Sequence, residues 1–261
     1  MRKEIIKVNM FFLIFLLALA VSSVNCSKEN ESVSEKKKDT IKTSTTTTTT
    51  ESAVSPGKEL FYMKSSANNI ACADCHGDGT NSSNLLTKYF SDIRGAGNRV
   101  STYHGKFKGE DVINNAGGAT VCWESYLKMK TPLTEEQIKS LNEYYKSVST
   151  PDSQKEIVYE TIALPDKNKA KLKEVQKVVS GLNADPVKGE EKFKNACGFC
   201  HGDKSTVKKI PDIFDEFEGN VKSIVYNVRL GDSAMPFFNE GKLSNQDLAD
   251  IAAYIMKRNG Q

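Results

Sequence analysis

Cys72-Ala73-Asp74-Cys75-His76 and Cys197-Gly198-Phe199-Cys200-His201 decide the fold of this 261-residue chain. Each is a C-x-x-C-H. Two thiols three positions apart reach the two vinyl groups of one porphyrin, and the adjacent imidazole then falls beneath the iron as proximal ligand. In an exported chain the pattern implies covalent haem attachment. Cys72, Cys75, Cys197 and Cys200 are therefore expected to carry two haem c groups, with His76 and His201 on the iron. A single zinc or iron–sulfur site built from both pairs is a poorer reading. Zinc pairs usually lie about 12–20 residues apart, these pairs are far more distant, and the histidine after each would have no role. A thioredoxin-like redox pair expects a βαβ context, which the sequence lacks.

The beginning of the chain reads as an export signal. Arg2, Lys3 and Lys7 form a charged start and residues 10–21 an apolar core, the arrangement of a signal peptide. That core is short for a membrane span, which needs roughly 20 apolar residues. Ala18-Leu19-Ala20 fits a small-residue cleavage site, whereas Ser23-Val24-Asn25-Cys26 resembles a relaxed bacterial lipobox. The second exit gives Cys26 a role as a lipid anchor and is the one adopted, with residues 1–25 as signal peptide. Residues 26–55 follow with almost no apolar side chains, a Lys36-Lys37-Lys38 run and unbroken threonine over 45–50. Such a segment cannot bury a core and reads as a disordered tether, reaching on the order of 30 Å as a flexible coil. Localisation is then periplasmic, or the outer side of a bacterial membrane. The chain carries 36 Lys and Arg against 33 Asp and Glu. With no polybasic face, nothing points to nucleic acid.

After residue 55 the chain makes a similar passage twice. A short helix-like stretch leads into each motif, Pro56-Gly57-Lys58-Glu59-Leu60-Phe61-Tyr62 and Lys188-Gly189-Glu190-Glu191-Lys192-Phe193-Lys194. Each copy closes on a helix with a readable start. Thr134-Glu135-Glu136-Gln137 has the form of a capping box, and Ile138, Leu141, Tyr145 and Val148 then share one helical face. In the second copy Ser244 is the cap, and Leu248, Ile251, Ala252 and Ile255 make the stripe. The stripes read as core packing that shapes a haem crevice. The expected domains are residues 56–150 and 185–261, joined by a linker over 151–184 that includes a lysine-rich helical stretch at 167–177. No two-residue alternation suggests a sheet, so the fold class is all-α.

The leading helix, the C-x-x-C-H, a downstream Met-Pro and a capped closing helix resemble the class I cytochrome c family, closely over 185–261 and more loosely over 56–150. The resemblance implies two tandem cytochrome c domains, electron transfer and redox protein partners. Gly231-Asp232-Ser233-Ala234-Met235-Pro236 resembles the methionine loop of that family, which implies Met235 as the second axial ligand of haem 2. The first copy has no Met-Pro, and Cys122, Met129 and His104 are its candidates. The surroundings of Cys122, Val121-Cys122-Trp123-Glu124-Ser125-Tyr126-Leu127, resemble the thiosulfate dehydrogenases and the dihaem subunit of the bacterial sulfur-oxidation complex. In those families a cysteine at the matching place binds the active-site iron. A thiolate at Cys122 would lower the potential of haem 1 and a thioether at Met235 raise that of haem 2, within the roughly 0.8 V that axial ligands span. The leading expectation is an electron carrier. The alternative is a thiosulfate dehydrogenase-like oxidoreductase with His76 and Cys122 at the active haem and a small sulfur anion as substrate. Arg94 and Arg99 are then candidate anion contacts, or supports of haem propionates. A dihaem peroxidase has only the two motifs in its favour.

Overall fold

The computed structural model describes residues 55–80, 82–96, 99, 107–151, 165–214 and 219–260. The signal segment, both expected processing sites, Cys26, the threonine tract and His104 lie outside the described residues. Among the described residues there is no strand, only one antiparallel bridge between Asp232 and Met235. The fold is all-α, as the sequence pattern requires.

The first module opens with α1 (Pro56–Tyr62), whose cap Ser55 accepts the Lys58 N–H at 3.3 Å. One turn, α2 (Cys72–Cys75), holds the first motif. Two short helices, α3 (Glu110–Asn114) and α4 (Ala119–Ser125), precede the closing α5 (Glu135–Val148). The capping box read from the sequence is present: Gln137 N–H donates to Thr134 Oγ1 at 3.2 Å, and Thr134 N–H donates to Gln137 Oε1 at 2.9 Å. Such a cap is worth about 1 kcal/mol.

The lysine-rich stretch forms α6 (Lys169–Gly181), which packs on the second module and buries Val179 in its core. There follow α7 (Pro186–Ala196), the one-turn α8 (Gly198–His201) at the second motif, α9 (Val221–Leu230) and the closing α10 (Asn245–Arg258). Ser244 caps α10 by accepting the Asp247 N–H at 3.0 Å.

Each module is built on a crossing between its first and last long helices, and a glycine makes each crossing. A Cβ on Gly57 would sit 1.9 Å from the Ser140 carbonyl oxygen, and one on Gly189 would sit 1.9 Å from that of Asp250. Only a residue without a side chain lets two helix backbones approach so closely. An aromatic pair flanks each crossing in the same way. Phe61 meets Tyr144 at 5.6 Å between ring centroids, and Phe193 meets Tyr254 at 5.3 Å. The two copies therefore share the same packing geometry as well as the same motif.

The modules also pack against each other. Leu86, from the short 3₁₀ turn Leu85–Tyr89 of the first module, is buried in the core of the second, while Phe199 and Val207 pack on the first. Tyr89 and Phe90 meet the edge of Phe238 at 5.7 and 5.6 Å. Asn69 Nδ2 donates to the Thr206 carbonyl at 3.1 Å, and Lys208 N–H donates to the Asn68 carbonyl at 2.9 Å.

Alanine normally stabilises a helix interior by about 1 kcal/mol over glycine, but a buried clash of this size costs roughly 1–3 kcal/mol or more. Gly57→Ala and Gly189→Ala are thus each expected to lower the thermal midpoint of the holoprotein. Gly181→Ala, where a Cβ meets nothing within 4 Å, should leave it nearly unchanged.

Candidate metal centres

The second motif lies along one wall of an apolar cleft of about 240 Å³, lined by Cys197, Cys200, His201 and Met235, with Ile251 and Ile255 of α10 behind them. The chain turns sharply into α8, Cys200 and His201 both donating their N–H groups to the Cys197 carbonyl, at 3.0 and 2.8 Å. Burial lowers the His201 pKa, and the Pro211 carbonyl counters part of that, although Nδ1 closes no hydrogen bond of full geometry.

Met235 is held by its backbone. Its N–H donates to the Asp232 carbonyl at 2.7 Å, and Asp232 N–H donates back to the Met235 carbonyl at 3.1 Å. The loop can leave α9 in this direction because Gly231 adopts φ +71°, where a Cβ would lie 2.8 Å from the Met235 oxygen. Arg229 then ties the loop to α9. Its guanidinium donates to the carbonyls of Phe238 and Leu243 at 2.8 and 2.9 Å, and to Asn245 Oδ1 at 2.8 Å.

The first motif lines a second cleft of about 90 Å³, which contains Cys72, Cys75, His76, Arg99 and Cys122. His76 Nδ1 lies 2.7 Å from the Ser91 carbonyl. A carbonyl cannot donate, so the proton is on Nδ1, and Nε2 keeps the lone pair that a metal needs. Burial, chiefly, lowers the His76 pKa, in the same direction as the neighbouring charges of Arg99 and Lys242. Asp74, inside the motif, accepts the Ala71 N–H at 2.6 Å and the Lys64 ammonium at 2.6 Å on each oxygen. These bonds fix the turn that presents both thiols.

The four motif thiols are strongly shifted. Burial pushes Cys72, Cys197 and Cys200 each up to about 12, and Cys75 well above its usual value. The ionised form is disfavoured at all four. Cys75 and Cys200 also lie near enough for their charges to repel.

Of the candidates for the first cleft, Cys122 on α4 lines it. Met129 packs on the first core, its N–H donating to the Trp123 carbonyl at 3.1 Å, and does not reach the cleft. Arg99 reaches the cleft wall. Arg94 instead pairs with Asp92 at 3.0 Å and is largely exposed. No residue of α5 lines the first cleft, in contrast to α10 in the second. The closing helix shapes the crevice directly in only one copy.

Three contributors carried no signal in the sequence. Ser91 acts through its carbonyl, which any residue would supply. Arg229 works through three partners on a separate loop and helix. Lys242, from the second module, enters the first cleft, and only the module interface brings it there.

The motif geometry and the helical frame define a c-type cytochrome, and comparison with known proteins gives the family. The family described as cytochrome C oxidase, cbb3-type, subunit III matches residues 184–255. Over 83 residues the chain is 31% identical to cytochrome c6 of Diacronema lutheri, which covers 29% of this chain and 99% of that protein. It is 37% identical over 78 residues to cytochrome c6 of Petalonia fascia, covering 27% of this chain and 88% of that protein. No solved structure matches the chain. The chain belongs to the cytochrome c family, whose members hold haem c covalently and transfer electrons through it.

Behind the first cleft lies a buried carboxylate that joins three elements. Asp78 accepts Tyr144 Oη–H at 2.5 Å, Tyr62 Oη–H at 2.6 Å and Thr80 Oγ1–H at 2.6 Å. Burial alone would raise the Asp78 pKa, but the hydrogen bonds from Thr80, Tyr144 and Tyr62 outweigh it and hold the carboxyl well below its usual range. A group depressed on folding stabilises the protein fully above its unfolded value, and that contribution is lost as the pH falls below it. The wild-type thermal midpoint should therefore drop as the pH falls below about 4. Asp78→Asn should start from a lower midpoint at neutral pH and show a shallower acid dependence, as measured by thermal melts across that range.

Proposed function

We propose that the protein is an exported dihaem c-type cytochrome that carries electrons between respiratory partners through two covalently bound haems. The observation that carries this reading is the repetition of one donor set. Each cleft combines the two cysteines and histidine of its own motif with a sulfur side chain from beyond it, Met235 in one and Cys122 in the other, and Cys200 lines both. The residues fit haem c. Buried thiols that resist ionisation are suited to thioether links, which carry no charge, and His76 already presents Nε2 as a lone pair.

Cys72 with Cys75, and Cys197 with Cys200, would hold the two groups, and His76 and His201 would be the proximal ligands. Once bound, each haem supplies a one-electron iron couple. The protein's own part is positional. Ser91 fixes the His76 tautomer, Arg229 and Gly231 hold the Met235 loop, and the apolar walls keep water from the site. Export, the tether and lipid attachment through Cys26 would place this carrier at the outer side of a bacterial membrane.

One observation favours a second reading: Cys122, not Met129, lines the first cleft. A thiolate ligand there would make the first centre the one of lower potential, and an oxidoreductase acting on a small sulfur anion such as thiosulfate would use it, with the second centre as electron exit. Arg99 on the same wall is the cation such an anion would meet.

The holoprotein should contain two haems per chain by the pyridine haemochrome assay, and Cys197→Ala/Cys200→Ala should contain one. A single haem in the wild type would end the dihaem reading. Met235→Ala should lose the sulfur-to-iron charge-transfer band of the oxidised protein. Steady-state thiosulfate oxidation with an artificial acceptor separates carrier from enzyme. No turnover in either wild type or Cys122→Met leaves the carrier alone, whereas turnover in the wild type lost at least tenfold in Cys122→Met establishes the enzyme.

A further inference from the structure

We infer that Lys242, carried by the second module on the loop that follows Met235, sets the redox potential of the first module's centre. The inference rests on the dihaem reading and deepens it. Lys242 lines the first cleft together with Cys75, His76 and Phe90, although it belongs to the other module. Its ammonium lies 4.3 Å from the Phe90 ring centroid and 5.9 Å from that of Phe237. No carboxylate among the described residues pairs with it.

The two clefts differ in charge. Lys242 and Arg99 are in the lining of the first, which includes no carboxylate, whereas Lys209 and Asp232 both line the second. Near the His76 ring, Asp92 is the acidic group that opposes these cations. Reduction of the first centre adds one electron and no proton, hence one negative charge. A cation held in a cleft of low dielectric stabilises that added charge far more than one in water. Burial works against the charge on Lys242, and the two aromatic faces offset part of that cost through cation–π attraction.

The placement also links the two modules. Ala234 and Pro236, on either side of Met235, line both clefts, and Lys242 follows on the same loop. One loop thus carries the proposed ligand of the second centre and a charge for the first. The second module thus adds a cation beside the first module's own Arg99.

The test is spectroelectrochemical titration of the full-length, haem-loaded protein. Haem content and a two-step titration curve are measured first. One haem per chain would defeat the dihaem reading itself, separately from the role of Lys242. The first centre is identified by the step that disappears in Cys72→Ala/Cys75→Ala. Lys242→Met, which keeps the apolar stem and removes the charge, should lower the midpoint of that step and leave the other unchanged. Lys242→Arg should restore it. Lys204→Gln, which removes an exposed charge from the second module, should move neither. An unchanged first midpoint in Lys242→Met, equal shifts in both steps, or the same shift in Lys204→Gln would overturn the inference.

Discussion

Two helix backbones in contact through a glycine are the constraint on which each module depends. At Gly57 and at Gly189 the facing carbonyl stands where any side chain would begin. That contact fixes the angle between the first and last helices, and the angle fixes where the motif emerges. The aromatic pairs Phe61–Tyr144 and Phe193–Tyr254 wedge the same crossing from the side. Modules of this size bury a modest core of their own. A prosthetic group bonded at the motif of each, as proposed, would therefore contribute a large part of the apolar surface that remains.

The second half of each copy is where the two diverge. In the second module a glycine with positive φ, a two-residue bridge and a three-pronged arginine present Met235 to the cleft. Among the described residues the first module shows no such loop, and it places α4, with Cys122, against its cleft. A framework of shared packing geometry thus offers a thioether at one site and a thiol at the other. The difference in donor softness is the physical basis for expecting unequal potentials. In the proposed dihaem protein the cations of the first cleft would act in the opposite sense to a thiolate at Cys122.

The interface gives the paired arrangement its consequence. Each module buries residues of the other, Leu86 in one direction and Phe199 in the other, and the two clefts share Ile70, Leu86, Cys200, Ala234 and Pro236 in their walls. A substitution on the methionine loop is therefore felt in both clefts, because packed walls do not deform independently. The helix α6, which the composition marks as part of a polar linker, shows the same principle on a smaller scale. Its lysines face water while Val179 joins the second core.

The sequence by itself determined the two C-x-x-C-H motifs, the all-α class, the capped starts of both closing helices, and Met235 and Cys122 as candidate sulfur side chains. These are local signals: a spacing of three residues, a capping box, a 3.6-residue stripe, a Met-Pro. The sequence leaves Cys122, Met129 and His104 open as candidates for the first copy; the packing puts Cys122 on the cleft wall and Met129 on the first core. What only the tertiary structure decided is which residues meet from far apart in the chain. Ser91 reaches His76 through a backbone carbonyl, Arg229 gathers two carbonyls and an asparagine beyond its own helix, and Lys242 crosses from one module into the other. None of these leaves a periodic trace, since each depends on how two separately encoded surfaces pack and not on the spacing within either one.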